Sequence, residues 1–139
     1  MNVLVLCGDH WHPARTVRMG LTPLADVGFD FDFVESAADW SAGKMEEYPV
    51  VLFTKSNDVS EDDETSWVTP DVEQAFVEYV RTGNGLLAVH SGTAGYSETP
   101  LLRALLGGVF DHHPKQCPVT VEPFDGHPLA AGSATFTIK

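Results

Sequence analysis

The feature that most constrains this chain is a set of short, unbroken apolar runs, each ending in glycine or a polar turn. Residues 2–7, 50–54 and 85–89 are such runs, and each reads as a strand buried on both faces of a parallel sheet. Residues 29–34 instead alternate phenylalanine with aspartate before Val34. That period of two predicts a strand nearer the sheet edge, with one wetter face. Between the first two strands, Pro13 suits a first helical turn, Val17, Leu21, Leu24 and Ala25 follow at helical spacing, and Gly28 supplies a left-handed stop. Thr69, Pro70 and Asp71 open a second helix, whose stripe of Val72, Ala75, Phe76, Tyr79 and Val80 ends at Gly83. A short helix is expected over residues 100–106, and further strands over 117–121 and 135–138. Strands alternating with helices imply βαβ units and hence an α/β, doubly wound parallel sheet. The last strand reaches Lys139 with no helix after it to cover one sheet face. The reading therefore expects either that part of the protein lies outside this sequence or that another chain completes the fold.

With 139 residues, 43% of them hydrophobic, the chain is read as a single domain over residues 1–139. No apolar run approaches the ~20 residues of a membrane helix, and the N-terminus lacks the sections of a signal peptide. A cytoplasmic location without membrane association is the expectation. Twenty acidic against eight basic residues give a formal charge of -12, which repels phosphate backbones and anionic lipid, so no nucleic-acid partner is expected. The excess gathers in Asp58, Glu61, Asp62, Asp63 and Glu64, read as a solvated loop. Cys7 and Cys117 belong to no metal or redox spacing, and both read as small buried residues at strand ends.

In open α/β sheets, ligands sit beyond the carboxyl ends of the strands. That rule selects the loops at residues 8–13, 54–57 and 90–93. Five of the six histidines lie in these loops or in residues 107–114, which follow the short helix. Histidine serves as acid, base or metal ligand near neutrality, so His90, His113 and His12 are the candidate catalytic residues. Asp9, His10, Trp11, Ser91, Thr93, Phe110 and His112 are the candidate substrate-binding residues, with Trp11 suited either to stack on a sugar ring or to pack internally. A metal is an open alternative: His10, His12, His112 and His113, with Asp9 or Asp111, supply ligands compatible with zinc or a related divalent ion, although no known metal motif is matched. The glycines at 107 and 108 and the ring of Phe110 are expected to fold their loop over the rim. His113 would then face His90, with Asp111 on its side.

The ordered set of Gly8-Asp9, Trp11 to Pro13, Tyr79 to Gly85, Val89 to Gly92, Gly107 to Pro114 and His127 to Leu129 resembles the ThuA-like, or trehalose-utilisation, family. The resemblance runs from residue 3 to residue 138. It implies the flavodoxin-like fold of class I glutamine amidotransferases, whose nucleophile occupies a tight turn in a small-x-nucleophile-x-small pattern. Ala88 to Gly92 fit that pattern with His90 at the nucleophile position, so thiolate chemistry and glutaminase activity are not expected there. Ser91 is a poor substitute nucleophile, because Val89 and Thr93 stand where a G-x-S-x-G elbow needs glycine. The family's chains generally continue beyond residue 139 into further strands that contribute to the same rim.

The resemblance implies a role in the metabolism of trehalose or a related disaccharide or keto-sugar, with a small carbohydrate as ligand and a homo-oligomer as one possible assembly. The alternative is a non-catalytic binding or assembly module that keeps only the fold. Convergence of His90 with another of these histidines in one pocket favours the first reading.

Overall fold

The computed structural model describes residues 1–124 and 126–138. Four parallel strands, β1 (Asn2–Leu6), β2 (Asp30–Val34), β3 (Val50–Phe53) and β4 (Gly85–Ala88), form one sheet in the order β2-β1-β3-β4. The connections carry α1 (Ala14–Leu21), α2 (Ala42–Glu46) and α3 (Pro70–Arg81), and α4 (Pro100–Leu106) follows β4. This is a flavodoxin-like α/β arrangement. It brings the loops after β1, β3 and β4 to one end of the sheet.

Alternation along the strands assigns each side chain to a face. Leu4, Leu6, Val51 and Phe53 join Met45 of α2, Phe76 and Tyr79 of α3, Leu102 of α4, and Trp67 and Tyr96 in the larger core. Phe53, Trp67, Phe76 and Tyr96 meet there with ring centroids 5.3–6.4 Å apart, within the range of favourable aromatic pairs. The opposite face holds Val3, Val5, Cys7, Ala14 and Leu52, packed on Val17 and Leu21 of α1. Among the described residues, only α1 and the segment after it cover this face.

Two carboxylates cap helices from a distance. α1 follows Pro13, which has no side-chain hydrogen bond to offer, and its Ala14 N–H donates to Glu61 Oε1 at 2.6 Å. Leu101 and Leu102 N–H of α4 donate to the buried Glu73 at 2.7 and 2.9 Å. Each satisfies N–H groups that a helix start leaves unpaired and complements the positive end of its dipole.

The structure corrects several expectations. β4 is an edge strand among the described residues, with Leu87 55% and Val89 42% exposed, because it pairs only with β3 and no helix overlies that part of its face. Residues 119–121 and 136–138 do not extend the parallel sheet. They form β5 (Val119–Val121) and β6 (Phe136–Ile138), an antiparallel pair of their own, consistent with a connection that lacks a crossover helix. Cys117 is exposed. The acidic loop is not merely solvated: Glu61 caps α1, and Asp58 accepts from Ser56 Oγ at 2.7 Å. The first helix gives way at Thr22–Val27 to a tighter 3-10 turn containing Pro23, whose missing N–H cannot continue the α-helical ladder. α2 is a single short turn capped by Ser41 Oγ, which accepts from Lys44 N–H at 3.1 Å, and no apolar periodicity announces it.

Glu73→Ala removes the acceptor for two buried amides. It is expected to lower unfolding stability by about 1–2 kcal/mol, measured by denaturant titration, with the loss recovered in large part by Glu73→Gln.

Candidate functional site

The site starts with a glycine at the end of β1. Gly8 adopts φ +78°, and a Cβ there would lie 2.9 Å from the carbonyl of Glu35, so the chain turns sharply and delivers Asp9 into the interior. Asp9 is fully buried. Its Oδ1 accepts from the N–H of Trp11 (3.0 Å) and of His12 (2.9 Å) and from His12 Nδ1 (2.8 Å), and its Oδ2 accepts from Ser56 N–H (3.0 Å). Burial pushes the Asp9 carboxyl upward, but the hydrogen bonds from Ser56 and His12 outweigh it and hold the group below its ordinary 3.8. An ionised carboxylate only accepts, so His12 Nδ1 carries the proton and its Nε2 presents a lone pair when the ring is neutral.

The second part of the site is the turn after β4. His90 has φ 53°, a positive value shared by no other described non-glycine residue. The turn is forced by packing: a Cβ on Gly92 would lie 1.9 Å from the Phe53 carbonyl. Ser91 Oγ donates to the Thr54 carbonyl at 2.5 Å, and Thr93 Oγ1 to the His90 carbonyl at 3.0 Å. The exposed His90 ring meets His12 edge-on, with centroids 4.7 Å apart and an interplanar angle of 88°.

His12, His90, Ser91, Trp11 and Thr54 line one end of a cleft of about 670 Å³. Its remainder is apolar, with Val17, Leu21, Leu52, Leu87 and Val89 among its walls. Trp11 is 75% exposed, which leaves its ring free for a ligand. His10 stands against Trp11 (centroids 4.9 Å) and lies 3.7 Å from Glu64.

The other candidates sit apart from this centre. Thr93 receives Phe110 N–H at 2.9 Å, which anchors the 107–114 loop near the turn. Both His112 and His113 are nevertheless exposed, and neither lines the cleft. Asp111 bonds to His112 (2.7 Å), its chain neighbour, rather than to His113, whose ring packs on Phe110 at 4.7 Å. The expected pairing of Asp111 with His113 is thereby corrected. Among the described residues, no three His, Cys, Asp or Glu side chains are arranged to hold a metal. Burial, then the negative charge of Glu35, push the Cys7 thiol up to about 11, a poor starting point for a thiolate.

Lys55 and Ser56 are the supporting residues that the sequence reading did not single out. Lys55 is 1% exposed and donates through Nζ to the carbonyls of Gly8 and Glu35. Asn57 ties three segments together, accepting from Trp67 and Val68 N–H and donating to the Gly95 carbonyl. Their position directly after an apolar strand was the available signal.

These features define a flavodoxin-like α/β protein with a cleft along one sheet face that reaches the carboxyl ends of its strands. The model of the ThuA family, described as trehalose utilisation, matches residues 2–139, and the chain belongs to that family. A solved structure of a ThuA-like protein from Bacteroides uniformis superposes with a TM-score of 0.67 at 24% identity, covering 99% of this chain and 57% of that one. At that identity the likeness establishes the fold, and this chain corresponds to little more than half of the larger protein. No curated protein matches the sequence significantly. No helix among the described residues is long and apolar enough to cross a membrane.

Two outcomes follow from the site's construction. His90→Gly relieves a left-handed backbone and is expected to raise stability by about 1 kcal/mol, seen as a higher thermal midpoint, while removing one wall of the site. Because the folded-state value of Asp9 is depressed, its contribution to stability is present above about pH 3.8 and lost as pH falls through the folded value. Denaturant midpoints measured from about pH 5 down to about pH 2 should therefore fall less steeply for Asp9→Asn than for the unmodified chain.

Proposed function

We propose that this chain supplies a carbohydrate site for trehalose utilisation, in which His12, oriented by Asp9, exchanges a proton with a hydroxyl of the sugar or with the carbon next to its carbonyl. The observation that carries the reading is the hydrogen bond from His12 Nδ1 to buried Asp9, with His90 edge-on to the same ring. A buried carboxylate fixes the tautomer and stabilises the imidazolium that forms when Nε2 takes a proton. His90 stands where it can serve as the opposing acid or hold a second hydroxyl. Trp11 offers an exposed ring for the apolar face of a pyranose. Loss of glutaminase activity belongs to the same reading, since His90 occupies the position where glutamine amidotransferases carry cysteine. The 107–114 loop lies outside the cleft lining, tied to the turn by the Phe110 N–H bond to the Thr93 carbonyl, with His112 and His113 exposed.

The reading as a non-catalytic module draws on the exposed apolar stretch of the cleft, which by itself suits a packing surface. The His12–Asp9 pair favours the proton-transfer reading, because a module has no need of an oriented imidazole.

Calorimetry of trehalose, sucrose and their keto derivatives against the chain should show binding of at least one sugar. His12→Ala is expected to weaken that binding about tenfold or more while the chain stays folded, at a stability cost of about 1–3 kcal/mol for the donor lost to buried Asp9, and glutamine hydrolysis should be absent. Unchanged affinity in both His12→Ala and His90→Ala would transfer the site to the module reading.

A further inference from the structure

We infer that the cleft selects an uncharged sugar over its phosphate ester, with Glu61 as the residue that sets this preference. The inference rests on the sugar reading of the cleft and adds the charge state of the ligand. In open α/β sheets the natural seat for a phosphate is the loop after β1 and the start of the following helix, where backbone N–H groups converge. Here the chain's own carboxylates fill that seat. Trp11, His12 and Ser56 N–H donate to Asp9, His10 N–H donates to Asp58 at 3.4 Å, and Ala14 N–H at the start of α1 donates to Glu61 at 2.6 Å. Glu61 reaches this place across 47 residues of sequence, and it sits on the residue next to Pro13 and His12 of the cleft wall.

An incoming phosphate would have to displace a bound carboxylate and then face the remaining negative charges. Two nearby cations that could compensate are engaged elsewhere. Among the described residues, no lysine or arginine lines the cleft. Lys55, on the adjacent loop, is buried and donates to the carbonyls of Gly8 and Glu35, and Arg18 pairs with Glu35 at 2.5 Å. Arg15, next to Ala14, is exposed and is not part of the cleft lining. A neutral sugar meets none of this opposition, since its hydroxyls both donate to and accept from imidazole and hydroxyl groups. The same carboxylates that order the loops therefore discriminate by charge.

The test compares trehalose, trehalose 6-phosphate and inorganic phosphate by calorimetry at pH 8, where an ordinary imidazole is neutral, using the unmodified chain and Glu61→Gln. Glutamine keeps an acceptor for Ala14 N–H and removes the charge. Trehalose 6-phosphate is expected to bind the unmodified chain about tenfold or more weakly than trehalose, and the ratio of the two affinities should narrow severalfold in Glu61→Gln. Asp58→Asn should move the ratio in the same direction, which keeps the test decisive if Glu61→Gln fails to fold. Equal or tighter binding of the phosphate ester, or a ratio indifferent to Glu61→Gln, overturns the inference. If neither sugar binds, the sugar reading of the cleft fails, and inorganic phosphate alone decides the charge preference. Tighter phosphate binding to Glu61→Gln than to the unmodified chain supports it, and equal binding refutes it.

Discussion

Burial of the Asp9 carboxylate is the interaction on which the site depends. An unpaired carboxylate in the interior costs several kcal/mol, so the chain can keep one there only by surrounding it with donors. Asp9 receives three backbone N–H groups and one ring N–H, drawn from its own loop and from the loop after β3. Those bonds fix the path of residues 9–12, join two strand ends, and decide which nitrogen of His12 carries its proton. Lys55 reinforces the arrangement from beneath by holding the Gly8 carbonyl. The geometry of the loop and the chemistry of the histidine are thus consequences of the same buried charge.

The two sheet faces play different parts around that centre. The face toward α2, α3 and α4 is closed by large aromatic residues and supplies most of the chain's dense packing. The face toward α1 is closed only over β1 and its neighbours, and the uncovered part, including Leu87 and Val89, becomes the floor of the cleft. A ligand in the cleft therefore meets two imidazoles at one end and hydrocarbon along the rest. This combination resembles what a sugar ring needs, with hydroxyls around its edge and apolar C–H groups on its faces.

Much of this was legible in the sequence, and the limits have physical causes. The apolar runs and the glycines at 28 and 83 located the parallel strands and the ends of two helices, because buried strands and left-handed stops impose local signatures. The turn at His90 was legible for the same reason: Gly92 is small because the Phe53 carbonyl comes close. Contacts between distant segments left no such trace. Nothing local indicates that Glu61 caps a helix 47 residues earlier, that Glu73 caps α4, or that Lys55 turns inward. The position of β4 at the edge was equally hidden, since Leu86 and Leu87 read as buried on both sides while only one side is covered.

The backbone at His90 bears on why the site exists at all. Close packing of Gly92 against the Phe53 carbonyl dictates a tight turn here, so whatever residue occupies position 90 must adopt φ near 53°. Glycine would do so at least cost, and a side chain with Cβ costs about 1–2 kcal/mol more. A histidine that was exposed and without a role would carry that cost with no return in stability. His90 instead projects its ring onto His12, whose own orientation is set by a buried carboxylate. Two separate expenditures of folding energy, one in backbone strain and one in desolvation, converge on the same pair of imidazoles. A scaffold that retained only its fold would shed both, and their coincidence at the mouth of one cleft is the physical argument for a working site.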